Sequence, residues 1–165
     1  MPRPRNADPE IQKYYDEKAR RESERDRRYE LLQKPILDDL RKCGVETNDL
    51  FALNVKLPDS ATEVLLAHLS RLSADSIPGL KGAHTWENVT LQDAVIRCLF
   101  LVKPGFDGRP LVEAFKNSWE ESIRWIILLV IAKRKPTGID DWIEELRKTP
   151  RGQTLKDLEP KRRRR

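Results

Sequence analysis

Residues 122–135 read SIRWIILLVIAKRK, the densest apolar run in a chain that is otherwise 36% charged. From Ile126 to Ala132 seven consecutive residues are apolar, so every direction around that backbone must meet protein rather than water. The β-branched content would suit a strand, and the flanks decide against it. Upstream, Ser118 with Glu120 and Glu121 gives an N-cap followed by carboxylates in a first helical turn. Downstream, Lys133, Arg134 and Lys135 precede Pro136, the charge and breaker pattern of a helix C-terminus. The segment therefore predicts a buried helix over residues 118–135, around which amphipathic helices must pack.

At 165 residues the chain suits one core-bearing domain with an arm or a tail. A mean hydropathy of −0.68 means that much of it is solvated surface. The net charge of +5 is unevenly placed. Nine basic residues oppose two acidic ones from Arg147 to Arg165, a balance of +7, which leaves −2 on residues 1–146. The high pI belongs to the C-terminus, and the body offers no general attraction for a polyanion. Cys43 and Cys98 sit inside apolar helical patterns and read as small hydrophobes of a reducing compartment. The first 18 residues contain no apolar core of a signal peptide, and no run approaches the ~20 residues that span a bilayer. The expectation is a soluble, cytoplasmic protein that does not enter a membrane.

Taken in order, Asp8-Pro9-Glu10 reads as an N-cap, a proline at the first helical position and an acid in the first turn. The helix it starts is mixed in charge, with Asp16/Arg20, Glu17/Arg21 and Glu24/Arg28 at i, i+4 spacing, and Arg20–Arg28 holds no apolar residue. Residues 1–28 are thus expected to form a charged arm that buries nothing. An apolar stripe begins at Tyr29 and continues through Leu32, Ile36, Leu37, Leu40 and Cys43, with a kink or restart expected at Lys34-Pro35 and a stop at Gly44. Thr47 or Asn48 is expected to cap a short helix, and Pro58-Asp59-Ser60 to open the next.

A repeat follows. Leu65-Leu66-x-x-Leu69, Leu111-Val112-x-x-Phe115 and Trp142-Ile143-x-x-Leu146 share one helical face pattern, the last two 31 residues apart and the first two 46 apart. Each is followed by a second helical segment: 90–102, then 118–135, then a shorter one after Pro150. The wider spacing accommodates an extended loop, Ser73–Val89. Helix pairs at a period of ~30 to 47 residues are characteristic of α-solenoids.

On these residues the chain resembles the bacterial HEAT-repeat-like proteins: 37–45 (LDDLRKCGV) leading into Asp49-Leu50, the Pro58 helix entry, 90–99 (TLQDAVIRCL), Ile123–Ile127, and the turn Pro150-Arg151-Gly152. The resemblance covers residues ~29–155. It implies an all-α fold, a short right-handed solenoid of antiparallel helix pairs over residues 29–158, with a charged arm at 1–28 and a basic tail at 159–165. It also implies a binding scaffold rather than an enzyme. Gln153–Pro160 offers only Leu155 and Leu158 where a last apolar helix is due.

No cofactor or metal is expected. His68 and His84 lack cysteine or carboxylate partners at ligand spacing, and Gly79, Gly82, Gly105 and Gly108 fit no phosphate-binding loop. The candidate partner-binding residues are Gln92, Arg97 and Arg124, polar interruptions in apolar helices, together with His84 and Trp86 in the long loop, where Leu80 and Trp86 are expected to fold back on the core. Candidate polyanion-binding residues are Lys161, Arg162, Arg163, Arg164 and Arg165. Two functions fit: an adaptor or inhibitor that binds a protein partner through the repeat surface, and a nucleic-acid-binding accessory protein that uses the basic terminus and a helical groove, with Trp86, Trp119 and Trp125 as stacking rings.

Overall fold

A computed structural model of the chain describes residues 8–74 and 85–151, where all regular structure is helical. Helix α1 runs from Pro9 to Lys42. Asp8 caps it, its Oδ1 accepting the Glu10 N–H at 2.9 Å, and Pro9 occupies the first position, where a missing N–H costs nothing. At 34 residues α1 is about 50 Å long, and none of its residues from Pro9 to Glu24 is buried.

Of the kink or restart expected at Lys34-Pro35, the restart does not occur. Helix α1 passes through exposed Pro35, giving up the backbone bond to the Leu31 carbonyl, while Ile36, Leu37 and Leu40 just beyond it are buried in the core. Three buried aliphatic side chains outweigh one lost hydrogen bond, which is why the helix continues. It ends as the sequence indicates. Gly44 adopts φ +81°, its N–H reaches the Arg41 carbonyl at 2.9 Å, and the Val45 N–H reaches that of Leu40 at 3.1 Å. A 3-10 turn at Leu50–Ala52 follows, capped by Asp49 rather than Thr47 or Asn48: the Asp49 carboxylate accepts the Phe51 N–H, and Thr47 Oγ1 accepts that of Asp49.

Helix α2, Asp59–Ala74, opens after Pro58 as expected. Helix α3, Trp86–Cys98, begins four residues before the expected Thr90, because Thr85 Oγ1 caps it by accepting the Asn88 N–H at 3.2 Å and Glu87 supplies the first-turn acid. Trp86 is therefore a helical residue, not part of a loop. A second 3-10 turn, Leu99–Leu101, leads to α4, Arg109–Asn117, then α5, Glu121–Arg134, and α6, Asp140–Arg147. Ser118 does not cap α5. It closes α4, its N–H donating to the Ala114 carbonyl, and Glu120 stands at the α5 N-cap. The second helix expected after Pro150, like His84 and the basic run 161–165, lies outside the described residues.

The run quoted first is the buried helix it predicts. In α5, Ile123, Ile126, Ile127, Leu128, Val130 and Ile131 are all buried. Helix α3 packs against α1, α2 and α5, α2 packs against α4, and α4 against α5. The segments between helices are laced together as well. The Leu57 N–H reaches the Leu101 carbonyl at 2.9 Å; ahead of α4 and α6, Asp107 and Thr137 form a parallel bridge, with the Thr137 N–H on the Phe106 carbonyl at 2.8 Å and the Gly108 N–H on the Thr137 carbonyl at 2.9 Å. A side chain at Gly108 would put a Cβ 2.9 Å from Ile139 and 3.0 Å from Pro136, so only glycine lets these two segments approach. No helix of the described residues is long and apolar enough to cross a membrane.

Candidate interaction surface

Two of the regions that present large apolar side chains to solvent beside charges contain tryptophan. The first lies where α1 crosses the start of α3. The Arg25 guanidinium sits 4.0 Å above the Trp86 ring, and Arg28 pairs with Glu87 at 2.6 Å. Tyr29 stacks on Phe51 with centroids 6.4 Å apart and meets Trp86 edge-on at 6.3 Å. The Arg20–Arg28 stretch thus does make contacts: it uses cation–π and ion-pair chemistry where apolar side chains are missing. Its sequence signal was Arg25, Arg28 and Tyr29 at i, i+3 and i+4. Trp86 covers α1, not the core, and Arg25 already occupies the face on which a base would stack.

Glu87 is almost wholly buried, and its carboxyl is held below the usual range by its own backbone N–H and, against the cost of burial, by Arg28. The Tyr29 hydroxyl is buried without a hydrogen-bond partner among the described residues, and its pKa is pushed far up, first by burial and then by the charge of Asp49. A raised folded pKa means that this phenol's contribution to stability is complete below its ordinary value of 10.0 and is lost as pH rises beyond it. Two consequences are expected. In an alkaline absorbance titration Tyr29 ionises only with unfolding, and Tyr29→Phe raises stability by about 1 kcal/mol, read by urea denaturation. A Tyr29 that ionises while the protein is still folded would contradict this placement.

The second region is the outer edge of α5. Trp125 is 48% exposed, with partly buried Leu129 and Ala132 one and two turns further along the same face, and Trp119, just ahead of the helix, is 65% exposed. Around them stand Glu120, Glu121, Ser122 and Lys133, all exposed.

The remaining candidates are placed as follows. Gln92 is buried in α3 and donates to Asn88 Oδ1 on the same helix. Arg97 is exposed, not sunk in an apolar face, and its guanidinium is held by Asp93 at 2.9 Å. Arg124 is half-buried as a strut between helices: it donates to the Phe115 carbonyl at 3.4 Å and to Glu121 at 3.2 Å, and lies 5.7 Å over the Phe115 ring. Their described partners differ: Asn88 for Gln92, Asp93 for Arg97, and Phe115 and Glu121 for Arg124. His68 is buried and satisfied: Arg71 donates to Nδ1 at 3.0 Å, which leaves Nε2–H to donate to Asp39 at 2.9 Å.

No family model, no curated protein and no solved structure matches the chain. What the surface can do follows from its own chemistry. Among the described residues no group of three or more His, Cys, Asp and Glu side chains is placed to hold a metal ion. Both cysteines are free; Cys98 is buried against the Leu50 carbonyl and burial pushes its thiol up to about 12. In the folded protein a thiol reagent is expected to modify partly exposed Cys43 alone, with the second equivalent taken up only in denaturant. Fast uptake of two equivalents would refute the burial of Cys98.

Proposed function

We propose that the chain is a non-enzymatic interaction scaffold, a short solenoid of antiparallel helix pairs that offers the outer edge of α5 to a protein partner. The helix order supports the solenoid reading, since α2 packs on α4 and α3 on α5 while α2–α3 and α4–α5 pack within pairs, as stacked repeats require. The parallel bridge between the segments entering α4 and α6 has the offset expected of two successive repeats. The observation that carries the functional reading is Trp125, half-exposed beside Leu129, with exposed Trp119 at the end of the same edge. Tryptophan next to aliphatic surface inside a polar rim is the composition of an interface hot spot, and it is rare on a surface that serves only solvation.

The test is retention of proteins from host extract on the immobilised full chain and on Trp125→Lys, with both forms melting alike. Proteins held by the parent and lost by the variant are expected; identical retention by both would end this reading. The alternative is nucleic-acid binding, favoured by the concentration of positive charge after Arg147. It predicts a gel shift that weakens steeply between low and physiological salt and vanishes in a chain ending at Pro160.

A further inference from the structure

The outward side of α5 is complementary to itself. Along it stand Glu121, Ser122, Trp125, Leu129, Ala132 and Lys133, all exposed or partly exposed, while Ile123, Ile126, Ile127 and Val130 face inward and Arg124 leans away onto the Phe115 carbonyl. Counted outward from Ile127, these residues fall at equal distances on either side: Trp125 with Leu129, Ser122 with Ala132, and Glu121 with Lys133. Each pair is matched in kind. The middle one is large and apolar, the next is small, and the outermost joins an acid to a base.

A two-fold contact between identical surfaces requires that arrangement, because residue i of one copy meets residue j of the other while j meets i. Two α5 helices laid antiparallel about Ile127 satisfy it. Trp125 of each copy then lies level with Leu129 of the other at the centre, Ser122 and Ala132 let the backbones approach on both sides, and Glu121 stands level with Lys133 at each end. Arg124 and Arg151 hold the Glu121 carboxylate from within the chain, yet its side chain stays 70% exposed and open to a further cation. A parallel pairing would set Lys133 beside Lys133, Glu121 beside Glu121 and the helix dipoles in line, so charge selects the antiparallel one. The contact is one helix of 14 residues, about 21 Å long, and belongs with small interfaces that dissociate on dilution.

We infer that the partner of the α5 edge is a second copy of this chain, joined antiparallel through Trp125 and Leu129 and held in register by Glu121 and Lys133. This deepens the scaffold reading and rests on it for the choice of surface. Trp125, half-exposed in the single copy, is covered in the pair.

Sedimentation velocity of the full chain across the micromolar range is the test. The parent is expected to pass from monomer to dimer as its concentration rises, and Trp125→Lys to stay monomeric while melting like the parent. Glu121→Lys and Lys133→Glu, both at exposed positions, are each expected to weaken self-association about tenfold when alone, because each sets like charges level at both ends of the contact. An equimolar mixture of these two variants is expected to recover the parental association, since the mixed pair again sets opposite charges level. A parent that stays monomeric throughout would overturn the inference and leave the Trp125→Lys retention result standing. So would a dimer that Trp125→Lys forms equally well, and so would a mixture no more associated than its components. A dimer with the expected variant behaviour, combined with identical retention of other host proteins by the parent and Trp125→Lys, keeps the inference and removes only the wider scaffold reading.

Discussion

Ile127→Asp is expected to unfold the protein at neutral pH. Ile127 is completely buried on the inner face of α5. An unpaired carboxylate there costs several kcal/mol, against a total stability of about 5–15 kcal/mol for a typical domain. The neighbours that would have to solvate the charge, Ile123, Ile126, Val130 and Ile131, carry no polar side-chain atoms. Burial raises the pKa of the introduced carboxyl above its unfolded value, so its penalty is smallest below about pH 4 and grows as pH rises through that value. Far-UV circular dichroism at pH 7 is expected to show lost helix, while Ile127→Val costs only about 1 kcal/mol by urea denaturation. Ser122→Asp, a charge at an exposed position of the same helix, should stay within about 0.5 kcal/mol of the parent. An Ile127→Asp protein that melts like the parent would mean that α5 is not the centre of the fold.

How much of this was legible in the sequence depended on the kind of interaction. Where one residue type dictates one geometry, the reading was direct: Asp8-Pro9 starts α1, Gly44 at φ +81° ends it, and of the seven consecutive apolar residues Ile126–Ala132 all but Leu129 and Ala132, which are partly buried, are buried in α5. Errors of a few residues came from competing caps. Ser118, Glu120 and Thr85 can each begin a helix, and the choice fell to where the neighbouring helix needed closing, which is tertiary information. At Pro35 local sterics allow either a kink or a restart, and the burial of Ile36, Leu37 and Leu40 behind it, which carries the helix on without a restart, is visible only once the helices are packed. The surface was least legible. Arg97 and Arg124 look alike as polar interruptions of apolar patterns, yet one is an exposed intrahelical pair and the other a strut on the Phe115 carbonyl. Arg25 over Trp86 joins residues 61 positions apart with no apolar signal in the arm, and charge patterning alone cannot report such a pair.

Phe115→Ala is expected to detach α6 as well as to destabilise the whole. Phe115 is buried at the end of α4, and three elements meet on its ring: Trp142 of α6 edge-on at 5.2 Å, Arg124 of α5 at 5.7 Å and Arg151 beyond α6 at 5.9 Å. Removing a buried aromatic side chain costs about 3–5 kcal/mol through lost transfer energy and the cavity left behind. The loss should be uneven. Helix α6 is eight residues long and buries only Leu146 fully, so it lacks the surface to hold its place without the Phe115–Trp142 contact, whereas α2, α3 and α5 share the main core. Hydrogen exchange is therefore expected to show the amides of residues 140–147 losing protection at denaturant concentrations where those of α3 and α5 keep theirs. Phe115→Leu, which refills much of the space without the ring, should recover most of the global stability but not all of the α6 protection, because the edge-on contact and the two cation–π contacts need the aromatic face. Protection of α6 that falls in step with the rest of the chain would show that the helix is bound by other contacts and that the ring is only one core residue among many.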